Sequence, residues 1–195
     1  MKYKLMFFFI IALYASCSSD YSPKPKGHFH IELHEPVYRD LVSYPFFKFS
    51  ISNQVFVEDM KNMPEGMKER NGIGFNLIYP RLHAQIYCSY FRINKQDFPT
   101  YMEESHQMVY DREIRAKGVK EIEYSHPDQK VYGLVYEIQG DAVSPIQFVI
   151  SDSISSFFRG ALYFDTYYNR DSIAPVLAYI NKDIQVMIES FQWKQ

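Results

Sequence analysis

The last quarter of the chain constrains the fold most. Ile173, Val176, Leu177, Ile180, Ile184, Met187, Ile188 and Phe191 recur at steps of three and four residues, the spacing that gathers side chains on one stripe of an α-helix. Asp171 or Ser172 is placed to cap its start, where Pro175 is tolerated. Lys182, Asp183 and Glu189 are expected to face outward. Such a stripe has to be buried against something, and the chain ahead of it supplies strands.

Period-two alternation and β-rich composition mark strands at 44–52, 54–59, 73–80, 81–91, 119–125, 130–140, 145–153 and 155–168. Residues 59–72, polar with Gly and Pro, read as a long exposed loop. A first helix is expected from a cap at Asp97 to about Lys117, with Pro99 in its first turn, Met102, Val109 and His106 inward, and Gly118 closing it. Strands, helix, strand meander and helix predict an α+β domain: an antiparallel β-sheet flanked by two main helices. The order is similar to the PsbP/Mog1-like α/β/α sandwich, an analogy of fold that says nothing about chemistry. The 195 residues, 47% hydrophobic and 23% charged, suffice for one domain with a real core. Most of the 17 Tyr and 16 Phe belong to that core and to the sheet faces, leaving a minority for a contact surface.

Residues 1–16 stand apart. Lys2 and Lys4 precede the apolar run Leu5 to Ala15, which is followed by small residues. This is the pattern of a secretory signal peptide, and the run falls short of the ~20 residues a spanning helix needs. Removing it takes away two lysines and no acid, moving the formal charge from −2 to −4. Cys17 follows Leu13-Tyr14-Ala15-Ser16, a stretch that resembles a bacterial lipobox with Tyr14 where an aliphatic is usual. Cys17 is therefore the expected lipid attachment site, and stable anchoring requires more than one acyl chain. Ser18 rather than Asp follows it, which points to the outer membrane. Residues 17–27 read as the lipidated end and a tether, in which ten residues with Pro23 and Pro25 span roughly 30 Å. The domain is expected over 28–195. A disulfide from Cys17 to Cys88 would serve little purpose, because Cys88 lies on the apolar side of its strand and acts as a small hydrophobe.

His28, His30, Glu32 and His34 alternate with Phe29, Ile31 and Leu33, which predicts an amphipathic strand. Imidazoles at i and i+2 could share zinc, but no HExxH, CxxC or spaced carboxylate completes a site, so no metal and no cofactor is expected. No GxSxG elbow or Gly-rich phosphate loop occurs, Ser105 and His106 are helix neighbours that do not face each other, and Glu103 and Glu104 read as a solvated face. No catalytic residue is assigned and no enzyme is expected. The lack of a basic cluster argues against nucleic acid. In "FFRGALYF" (157–164), Phe158, Gly160, Leu162 and Phe164 share one face, and Phe157, Arg159, Ala161 and Tyr163 the other. Either both faces are covered and Arg159 is simply paired, or Arg159 and Tyr163 belong to a surface for a partner.

Several stretches together resemble one family. They are "DYSPKPKGHFHIEL" (20–33) behind the lipobox cysteine, "GFNLIYP" (74–80), "IYCSY" (86–90), "KVYGLVYEIQGDAVSPIQFVISDS" (130–153), "FFRGALYF", and the ending "DSIAPVLAYINKDIQVMIESFQWK" (171–194). They look like the GldD lipoproteins of gliding Bacteroidota, the last third being the most specific. The family's usual aromatic and arginine at the positions of His28 and His30 weigh further against a metal there. The resemblance implies a cell-envelope lipoprotein needed for gliding motility. It would be non-catalytic, partnered by other gliding and type IX secretion envelope proteins, and held to the membrane through Cys17, more on the periplasmic face than the cell surface. The other class left open is a membrane-tethered module whose aromatic sheet binds a glycan or lipid.

Overall fold

The computed structural model describes residues 32–110, 116–140, 142–165 and 170–194. Among them the chain forms β1 (Tyr38–Leu41), β2 (Phe47–Ser52), β3 (Phe56–Asp59), α1 (Glu65–Glu69), β4 (Ile73–Tyr79), β5 (Ala84–Arg92), α2 (Phe98–Tyr110), β6 (Ala116–His126), β7 (Val131–Gly140), β8 (Ile146–Ser151), β9 (Ser156–Phe164), α3 (Arg170–Glu189) and β10 (Gln192–Trp193). Seven strands make one sheet in the order β3-β4-β5-β9-β8-β7-β6, every neighbouring pair antiparallel. A smaller sheet has the order β1-β2-β10. The expected α+β class with an antiparallel sheet is what the chain adopts.

Two hairpins are turned by the same local chemistry. After Tyr79, Pro80–Leu82 form a 3-10 turn that ends on left-handed His83 (φ 48°); after His126, Pro127–Gln129 do the same and end on left-handed Lys130 (φ 52°). Proline sets the first φ of each turn, and one residue at positive φ reverses the chain into the next strand.

The two faces of the large sheet are covered differently. On one, α3 and the small sheet together bury a single aromatic core. Phe47 lies at its centre, with Phe158 edge-on at 5.2 Å and Phe75, Phe49 and Phe191 within 6.0 Å. The helical stripe read from the sequence supplies Val176, Ile180, Ile184, Met187 and Ile188. Gly160 belongs to this face: a β-carbon there would collide with Phe148 Cζ, because the Phe148 ring lies across its cross-strand partner. On the opposite face α2 forms two smaller clusters, Phe91, Val149 and Phe157 at its start and Val109, Tyr136 and Ile138 at its end.

Several expectations are corrected. The first helix is described over Phe98–Tyr110, and Lys117 and Gly118 belong to β6, where a register shift between Ala116 and Gly118 marks a bulge rather than a helix end. His106 is exposed on α2, while Val109 is buried. The loop 59–72 contains the short helix α1, closed onto α2 by a bidentate Arg70–Glu104 pair (both bonds 2.7 Å), so Glu104 is not merely solvated. Glu32 to Val37 carry no regular structure, so the described end of the expected His-rich strand is not a strand, and β1 begins at Tyr38. The largest difference concerns Asp183, which is 4% exposed and faces inward.

Candidate functional site

The α2-side face of the sheet is only partly covered. Register places Phe56, Ile78, Gln85 and Tyr163 in one row across β3, β4, β5 and β9, with Asn76, Tyr87 and Ala161 in the next. Helix α2 starts over Phe91 and Phe157 and ends over Tyr136 and Ile138, so it crosses beside these rows and not over them. Phe56 is 65% and Tyr87 38% exposed. Gln85 Nε2 donates to the Tyr87 hydroxyl (2.9 Å), and the Tyr163 ring stands edge-on to Tyr87 at 5.1 Å. The result is an aromatic patch whose side chains are held in place by one another.

Arg159 and Tyr163, named together from the sequence, share this face of β9 but not this environment. Arg159 is half-buried beneath α2, with Nη1 3.4 Å from the Ser105 hydroxyl oxygen. Hydrogen bonding from Arg70, with Arg159's charge as a smaller contribution, holds the Glu104 carboxyl below its usual range. Tyr163 lies beyond the helix, half-buried against Tyr87.

Asp183 anchors the opposite layer. It lies three residues after Ile180 and four before Met187, on the apolar stripe itself, so its burial was readable from spacing. Tyr38 donates to its Oδ1 at 2.8 Å, while Oδ2 has no partner of good geometry among the described residues. Burial pushes the Asp183 carboxyl above its usual range despite contacts from Tyr38 and Tyr79. Burial, with the carboxylate beside it, raises the Tyr38 and Tyr79 phenols. This knot ties β1, the first strand of the described chain, to α3 and β4.

The remaining polar candidates have structural partners. The Ser105 hydroxyl donates to the Tyr101 carbonyl (2.8 Å) and is buried, while His106 turns outward to stack on Tyr110 at 4.3 Å. Tyr136, 1% exposed, has a hydroxyl without a hydrogen-bond partner among the described residues, and burial first, then Glu121 and Tyr110, pushes its pKa up to about 12. In the Ser151-Asp152-Ser153 turn, Asp152 accepts from the amides of Ile154, Ser155 and Ser156, as an Asx-turn does. Cys88 is buried, which raises its thiol, and forms no disulfide among the described residues. Among the described residues no three His, Cys, Asp or Glu side chains converge on a metal position. Cys17, His28 and His30 lie outside the described residues. No helix among the described residues is long and apolar enough to cross a membrane.

The open aromatic rows were not visible in the sequence, since cross-strand register decides which side chains become neighbours. No curated protein sequence matches the chain. The family model described as gliding motility lipoprotein GldD matches residues 18–193, nearly everything after Cys17. The chain thus belongs to the GldD family of gliding motility lipoproteins.

Proposed function

We propose that this gliding motility lipoprotein is a non-catalytic assembly component of the gliding and type IX secretion machinery. In this reading residues 1–16 are removed as a signal peptide, Cys17 carries the lipid, and residues 17–27 tether the domain 28–195 on the periplasmic side of the outer membrane. The family match, which begins one residue after Cys17, carries the reading. The open rows of Phe56, Tyr87 and Tyr163 supply the surface for an envelope partner, and Arg159 supports that surface from beneath α2 by fixing β9 to Ser105. Aromatic side chains with polar tips are the residues enriched at such contacts.

A glycan- or lipid-binding role fits the geometry less well. The groove between β6 and α3 holds about 80 Å³, far below the roughly 300–1,000 Å³ of small-molecule pockets. The test is affinity purification of the native protein from detergent-solubilised membranes, beside a Cys17→Ala strain. The expected result is co-purification with gliding and type IX secretion proteins, an acylated N-terminus at Cys17, and loss of gliding in the Cys17→Ala strain. A native N-terminus at Met1 or Ser18, or a purified protein free of motility components, would contradict the proposal.

A further inference from the structure

The sheet ends at β6, and this end differs from the other. β6 runs for eleven residues, and its only strand partner among the described residues is β7. Long exposed edges invite another strand unless charges guard them. In β6 the central charges are already engaged: Lys120 Nζ lies 3.4 Å from Glu137 Oε2, and Glu121 accepts from the Tyr110 hydroxyl at 2.8 Å. The stretch from Ile122 to His126 keeps one acid, Glu123, which is exposed and has no cation within 4.0 Å among the described residues.

On the α3 side of this stretch runs the groove, lined by the apolar Ile122, Tyr124, Val135, Ile184 and Ile188 and also by Glu123, Glu137, Asn181, Gln185 and Glu189. Its 80 Å³ is on the order of one aliphatic side chain, too small for a free ligand. Glu189, like Glu123, is exposed with no cation within 4.0 Å. Among the described residues the asymmetry across β6 is therefore specific: a largely apolar slot on one face, an acid with no cation beside it on the other, and an edge with no further strand between.

We infer that the Ile122–His126 half of β6 is a strand-addition site for an extended segment of a partner protein in which apolar and basic residues alternate. Its backbone extends the sheet, an apolar side chain enters the groove beside Ile122 and Tyr124, and a lysine or arginine on the other face meets Glu123. Main-chain pairing supplies affinity and the alternating side chains supply selectivity. The site lies at the opposite edge of the sheet from Phe56, and it stands whether or not the aromatic rows contact the motility machinery.

The experiment is amide hydrogen exchange on the full-length detergent-solubilised protein with a short peptide alternating isoleucine and lysine. Two controls have the same length: one alternates isoleucine and glutamate, the other is N-methylated at every residue so that neither of its edges can pair. The first peptide is expected to slow exchange in Ile122–His126 by about tenfold or more. Both controls, and a Glu123→Lys/Glu189→Lys variant with an unchanged melting temperature, should bind at least about tenfold more weakly. No protection, or equal binding of the N-methylated peptide, overturns the inference. So does protection of these amides without peptide that matches β8 or rises with protein concentration, since the edge would then be covered by the chain itself or by a second copy.

Discussion

The two faces of the seven-stranded sheet use similar residues to opposite ends. Against α3 and the small sheet, Phe47, Phe75, Phe158 and Phe191 are each at most 1% exposed and interlock in one core. Against α2 the apolar residues split into two clusters, and Phe56 and Tyr87 are left to solvent. The closed face stores the stability, and the open one leaves aromatic surface that folding does not need. Aromatic content alone, 17% of the chain, does not separate the two.

Substitutions can break or sharpen this contrast. Phe158→Ala on the closed face should cost about 3–5 kcal/mol in urea unfolding; a cost below about 1 kcal/mol would mean the core is not continuous. Gly160→Ala drives a methyl into the Phe148 ring and should cost about 1–3 kcal/mol. Phe148→Leu in the same chain should make the second loss non-additive, which a double-mutant cycle measures.

Asp183→Asn tests the acid within the closed layer. Its carboxyl is raised on folding, mainly by burial. The folded state therefore holds the proton more tightly, and the contribution present at low pH is lost as pH rises through the folded-state pKa. Asparagine still accepts from Tyr38 and carries no charge. The variant should be more stable than the wild type by roughly 1 kcal/mol at pH 8, and the difference should vanish near pH 4. Melting curves at the two values decide it, and a gap that widens toward acid would reverse the assignment. On the other face, Arg70→Gln removes the bidentate pair to Glu104, whose side chains are 42% and 33% exposed, and should cost no more than about 1 kcal/mol.

Legibility in the sequence followed the range of the interactions. The stripe of α3, the burial of Cys88 and the split faces of "FFRGALYF" are local and follow from spacing alone. Asp183 is equally local: its charge suggests exposure, but its position puts it on the apolar stripe. The end of α2 is not legible at Gly118, because a glycine serves a bulge as readily as a helix stop. The patch of Phe56, Tyr87 and Tyr163 depends on pairings as distant in the chain as Gln85 with Tyr163, and no periodicity reports it.

The smallest expected stability effect belongs to the open face, and it carries the central claim. Phe56→Ser/Tyr87→Ser should shift stability by about 0.5–1 kcal/mol at most, because Phe56 is 65% exposed and Tyr87, 38% exposed, belongs to none of the buried clusters. The decisive measurement is gliding by cells whose sole copy carries this pair, with membrane-bound protein levels and melting temperature recorded alongside. The account predicts normal level and melting temperature with gliding lost. Normal gliding by a folded, normally abundant double variant would contradict it.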